Sequence, residues 1–152
     1  MSSVDKIDLK IIEMLAADSR RSLADIGNSV DLAPSSVNER IRRLVASGVI
    51  RRFTVEVDPA ALDRATQIYV WVALREDADE GAFREFAGTD PRIEECHHVT
   101  GAWSYLIKLR LKDVSAVEEF LSDLKSANFL GRSETVLALS SPVEAGVIPK
   151  GA

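Results

Sequence analysis

One cysteine, Cys96, is all the thiol chemistry in this chain, which excludes an internal disulfide and a cysteine-based zinc site and fits a reducing compartment. Cys96 lies in a strand-like segment and reads as a buried structural thiol. Prolines number five and glycines eight, too few for a disordered or collagen-like chain. No apolar run approaches the roughly 18 residues a membrane span needs, and Met1–Asp8 lacks the basic-then-apolar pattern of an export signal. A cytoplasmic protein with no membrane partner is expected. There is no Ser/His/Asp or Cys/His set, no glycine-rich phosphate loop and no metal-ligand spacing, so neither an enzyme nor a cofactor or metal is expected. The nearest approach to a catalytic pair, Cys96 and His98, stands two residues apart on one strand, about 6 to 7 Å and beyond hydrogen-bond reach. His97 and His98 are adjacent, so they face opposite sides of a strand and cannot share one metal ion.

A basic excess is also missing. With 19 basic and 24 acidic residues the chain carries −5, which argues against a uniformly basic nucleic-acid binder. The distribution says more than the sum. Residues 1–60 hold nine Lys/Arg and nine Asp/Glu, whereas the remainder carries the whole deficit. Between Ala33 and Arg52, Arg40, Arg42, Arg43, Arg51 and Arg52 face Glu39 alone. A local cationic strip on a neutral domain is the footprint of a DNA-binding surface.

That strip lies in a helical region. Ile7, Ile11, Met14 and Leu15 share one face of a helix from Val4 or Asp5 to Ala17, with Asp5 and Asp8 placed favourably at its N-terminus. Ser22 is a candidate N-cap, with Asp25 three residues on, for a short second helix turning Leu23, Ile26 and Val30 inward. Asp31 and Leu32 form a turn, and Pro34 opens a third helix to Ala46 with Val37, Ile41, Leu44 and Val45 as its apolar stripe. Three helices of these lengths, the last two joined by a short turn, are a helix-turn-helix outline, and the third enters the major groove. Its outward positions are Ser35, Ser36, Asn38, Glu39, Arg40, Arg42 and Arg43. Serine, asparagine and arginine there suit base edges and phosphates; Glu39 is expected to orient Arg42 or Arg43 instead. Val49–Val57 alternates around Phe53, Val55 and Val57 and reads as a strand, with Arg51 and Arg52 on a wing touching the DNA backbone.

From 65 the pattern is β-α-β-β-α-β: strands at Thr66–Leu74, Arg92–Val99, Trp103–Leu111 and Arg132–Ser140, and helices at Asp79–Ala87 and Val114–Ser126. Phe83 and Phe86 point inward from the first of these helices; Val114, Val117, Phe120, Leu121 and Leu124 do so from the second. Two helices cover one face of a four-stranded sheet. Tyr69 and Trp71 leave the other face apolar, so a homodimer through the sheet is expected, and its twofold matches a palindromic DNA site. The fold class is thus α+β, with a helix-turn-helix domain over 1–50, a strand linker and turn over 51–64, and a second domain over 65–152.

Three segments, "DKIDLKIIEMLAADSR", "LAPSSVNERIRRLVASGVIRRFTVEVDPAAL" and "IEECHHVTGAWSYLIKL", resemble the Lrp/AsnC family of regulators, and the likeness runs from Val4 to about Val143. The resemblance implies a winged helix-turn-helix reader and a ferredoxin-like effector and oligomerisation domain. It also implies dimers assembling into tetramers or octamers on promoter DNA, and response to an amino acid or related small molecule. It places Ser35, Ser36, Asn38, Arg40 and Arg43 on the recognition helix and Arg51 just after it, beside the Arg42 and Arg52 already read as DNA-facing. The loop Thr100, Gly101, Ala102, Trp103 and Ser104 falls at an effector site between dimers, and His98 is a candidate to line the same pocket or else a hydrogen-bonded sheet residue. Two positions depart from the family's pattern. An Asp is usual where this chain has Ser104, and Asp or Asn is frequent at Ala102, so an anchor for an ammonium group is missing. Asp31 replaces a usual glycine, and Asp tolerates the left-handed turn. A largely non-specific architectural DNA binder is the alternative function.

Overall fold

The computed structural model describes residues 4–143. The chain divides into two compact units, the first reaching Glu56 and the second spanning Val57–Pro142. Residues 144–152, assigned above to the second domain, lie outside the described residues.

In the first unit α1 is Lys6–Ala17, α2 Leu23–Val30 and α3 Pro34–Ala46. The complete capping box is at α1: the Asp5 carboxylate accepts from Asp8 N at 2.8 Å, and the Asp8 carboxylate accepts from Asp5 N at 3.2 Å. At α2 only half a box forms. Ser22 Oγ accepts from Asp25 N, while the Asp25 carboxylate turns to Arg21 at 3.1 Å. Asp31 ends α2 at φ 56°, ψ 45°, the left-handed conformation expected of it. Ile11, Met14, Ile26 and Val37 form the core, with Ile7, Leu15, Val30, Leu32 and Ile41 packed around it. Leu23 and Val45, expected inward, are 36% and 44% exposed; they sit at the rim of helices too short to bury a wide stripe.

The turn between α2 and α3 depends on Gly27. Leu32 N donates to Gly27 O at 3.0 Å, and a Cβ on Gly27 would stand 2.4 Å from the Leu32 carbonyl oxygen. Gly27→Ala is therefore expected to cost about 1 to 3 kcal/mol through backbone displacement. Urea denaturation followed by far-ultraviolet circular dichroism checks it, and an unchanged midpoint would refute the close approach.

Val49–Val57 is not a strand in this chain. Phe53, Val55 and Val57 are 55%, 79% and 49% exposed, and residues 51–58 enter no ladder. The alternation is present, but a strand exists only through hydrogen bonds to a neighbour, and none of the described residues supplies one here.

The second unit opens with a 3₁₀ turn, Pro59–Leu62, and continues β1 Thr66–Leu74, α4 Glu80–Thr89, β2 Ile93–His98, β3 Tyr105–Leu111, α5 Ser115–Ser126 and β4 Leu130–Leu137. The sheet order is β2-β3-β1-β4 with every pair antiparallel, the ferredoxin-like arrangement. Both helices cover one face. Ile68, Val70, Val72, Tyr105, Ile107, Leu109 and Leu111 meet Phe83, Val117, Phe120, Leu124 and Phe129 there. Val114 is the residue before α5 and is 58% exposed, so it caps rather than packs. β4 starts two residues earlier and ends three earlier than the alternation suggested, because Leu130 pairs with Leu74 across a bulge at Ala73/Leu74. β3 starts at Tyr105, since Trp103 and Ser104 belong to the preceding loop.

Candidate nucleic-acid interface and effector loop

On α3, Val37 and Leu44 are buried and Ile41 half-buried, so Ser35, Glu39 and Arg42 are turned to solvent and Asn38 lies half-buried beside them. Arg40 departs from the outward position expected of it. Its Nη1 donates to Asp5 Oδ2 at 2.7 Å and to Asp8 Oδ1 at 2.8 Å. Arg43 Nη2 donates to Asp8 Oδ2 at 2.6 Å, while its side chain stays 45% exposed. Asp8 is wholly buried, and these guanidiniums supply the charge that burial demands. The bond from Arg40 also holds the Asp5 carboxyl below its usual range. Glu39 makes no ion pair among the described residues, so its expected orientation of Arg42 or Arg43 is corrected: Arg43 is held by the buried Asp8 and Arg42 stays exposed. Arg42, Arg51 and Arg52 are exposed. Nothing local marks Asp8 as the buried anchor beneath this surface, since its partners lie 32 and 35 residues away.

The loop between β2 and β3 is closed by Val99 N donating to Ser104 O at 3.0 Å, with Gly101 at φ 98°. Ser104 is a structural ligand of β1: its N donates to Val72 O at 2.8 Å, and its Oγ accepts from Leu74 N at 3.0 Å, beside the bulge. Trp103 lies against Trp71 with ring centroids 6.5 Å apart. Arg132 covers Trp103 at 4.4 Å and donates to Ala102 O at 2.6 Å.

His98 belongs to the other side of the sheet. It stacks on Tyr105 at 4.9 Å and, with Arg84, Ile93 and Cys96, lines an open cavity of about 490 Å³. Tyr105 donates to Glu80 at 2.6 Å and accepts from Arg84 at 2.9 Å; the tyrosine and then the arginine hold the Glu80 carboxyl below its usual range. His98 and Trp103 are therefore not brought onto one surface within a single chain. Arg84, Tyr105 and Arg132 carried no signal by which sequence alone would have placed them there. His97 faces Glu95 at 3.1 Å, opposite to His98 as adjacency requires. No group of three metal-ligating side chains occurs among the described residues.

Cys96 and His98 do share the cavity, but burial pushes the Cys96 thiol up, away from the thiolate a nucleophile needs. Slow, unexceptional labelling by a thiol reagent at neutral pH is expected; rapid labelling would contradict this environment.

Comparison with known proteins bears on both units. A winged helix-turn-helix DNA-binding model matches residues 4–51, and the model of the Lrp/AsnC ligand binding domain matches residues 67–148, more than half of the chain. The chain belongs to the Lrp/AsnC family. Its Lrp/AsnC relatives include the Bacillus subtilis regulator LrpC, 38% identical over 119 residues, which are 78% of this chain and 82% of that protein. The regulator FL11 of Pyrococcus horikoshii is 32% identical over 149 residues, 96% of each chain. The solved structure of B. subtilis LrpC superposes with a TM-score of 0.83 at 32% identity, covering 95% of this chain and 99% of that one. A Neisseria meningitidis transcriptional regulator solved with L-Met shares the fold, with a TM-score of 0.90 at 23% identity over 97% of each chain. The chain is thus an Lrp/AsnC-type DNA-binding regulator and not an enzyme. No helix among the described residues is long and apolar enough to cross a membrane.

Proposed function

We propose that this chain is a cytoplasmic, sequence-specific transcriptional regulator that binds palindromic promoter DNA as a homodimer, with dimers assembling to tetramers or octamers. The observation that carries the reading is the outward side of α3, where Ser35, Ser36, Asn38 and Arg42 stand together with no side-chain partner among the described residues. Arg51 and Arg52 follow α3 and suit phosphates. Arg43 reaches the same surface with its exposed edge, and Arg40 braces it from Asp5 and Asp8.

Dimerisation is supported by two surfaces. The open face of the sheet carries Tyr69 and Trp71, which no helix among the described residues covers, and Phe53, Val55 and Val57 alternate on an exposed segment outside any ladder, suited to pairing with a second copy. An effector role for the loop Thr100–Ser104 and His98 is supported by family: the Escherichia coli leucine-responsive regulatory protein is 33% identical over 123 residues. Here the loop presents Ala102 and a Ser104 whose hydroxyl already accepts a backbone proton, so no carboxylate meets an ammonium group. A ligand less polar than a free amino acid, or an altered amino-acid preference, suits these residues.

The decisive measurement compares binding to DNA upstream of its own gene with binding to random duplex over several salt concentrations. A specific regulator holds the upstream site far more tightly at every salt; equal affinities with one steep salt slope would establish the architectural alternative instead.

A further inference from the structure

Resting on the reading of α3 as the recognition helix, the geometry points to Glu39 as a base-reading residue that selects cytosine in the major groove. Ser35, Asn38, Glu39 and Arg42 follow an i, i+3, i+4, i+7 spacing and form one stripe of α3, opposite buried Leu44 and Val37. Glu39 lies inside that stripe and is exposed. A carboxylate directed at DNA meets a polyanion, and the ordinary remedy is an adjacent cation at i+3 or i+4. Arg43, at i+4, is spent on Asp8 at 2.6 Å. Arg42, at i+3, is exposed and makes no ion pair among the described residues. Asp8 of α1 thus takes the i+4 cation from Glu39, and with Arg42 also unpaired the carboxylate is open to a donor from the DNA.

The major groove offers two amino donors, cytosine N4 and adenine N6. Adenine sets the N7 acceptor beside its donor, which repels a carboxylate. Cytosine presents N4–H2 without an adjoining acceptor on the same base, so a carboxylate accepts there without conflict. Arg42 on the same stripe suits the O6 and N7 of a nearby guanine or a phosphate. The fixed charge at Glu39 also penalises non-specific approach to phosphate, so discrimination at this one base pair rises while general affinity falls.

The test uses the full-length protein with an upstream duplex that it binds, varied one base pair at a time, in competition assays at fixed salt. Wild type is expected to favour cytosine at one position of each half-site by between about fivefold and a hundredfold. Glu39→Gln should move that preference to adenine, because an amide both accepts from N6 and donates to N7, and Glu39→Ala should flatten it; the other positions keep their preferences in both variants. Glu39 is exposed, so both variants fold, and circular dichroism checks this. A base profile unchanged in both variants, or a uniform loss at all positions, would overturn the assignment while leaving specific binding intact. A wild-type profile flat at every position would overturn the specific-regulator reading itself.

Discussion

Asp8→Ala is expected to destabilise the helix-turn-helix unit by about 3 kcal/mol, within the range for removing one partner of a buried ion pair. The carboxylate is wholly buried and accepts from Arg40 at 2.8 Å, Arg43 at 2.6 Å and Asp5 N at 3.2 Å. Alanine leaves two guanidiniums facing an apolar side chain and breaks half of the capping box. The lower end of the range applies because Arg40 keeps Asp5 at 2.7 Å and Arg43 is already half exposed to water. Asp8→Asn retains shape and acceptor oxygen and should cost less than half as much. The chain offers a clean readout. Its two tryptophans, Trp71 and Trp103, both lie in the second unit, so intrinsic fluorescence follows that unit while far-ultraviolet circular dichroism follows both. A lowered dichroism transition with an unmoved fluorescence transition is the expected pattern. A loss below about 1 kcal/mol would show that the clamp is ornamental to stability.

Phe83→Ala should act on the other unit, at about 3 to 5 kcal/mol, the cost of emptying an aromatic site in a packed core. Phe83 is wholly buried, meets Tyr105 at 4.7 Å and Phe129 edge-on at 5.5 Å, and is the point where α4 grips the sheet. Here the fluorescence transition should fall while the helical unit, whose core shares no residue with this one, melts as before. If the dimer is joined through this sheet, binding to a two-half-site duplex should weaken in the same variant, whereas binding to a single half-site should not. A common shift of both transitions would show that the two cores unfold as one.

Much of the fold was legible from local patterns. The helical spacing of Ile11, Met14, Val37 and Leu44, the Ser22 and Pro34 starts, and the Asp31 turn depend on residues within a few positions of each other, and they stand as read. So do the alternation of β1 and the opposite facing of His97 and His98. Exposure at the rim was less legible. Leu23, Val45 and Val114 satisfy an apolar period yet lie outside the core, because period reports direction around a helix and not the reach of the neighbours.

The candidate sites divide in the same way. Local spacing is enough to set three helices before a split β-α-β sheet and to gather cations on and after the third helix. Which of those cations are committed depends on contacts that form only in the folded chain. Arg40 and Arg43 are drawn to Asp8 across more than thirty residues, and no local signal announces a buried carboxylate's need for charge. Folding likewise turned the Ser104 hydroxyl to Leu74 N, 30 residues away, and left Phe53–Val57 without a ladder. Both outcomes have one cause: a buried charge or an unpaired backbone group takes whichever partner folding brings within about 3 Å, and distance along the chain says nothing of that.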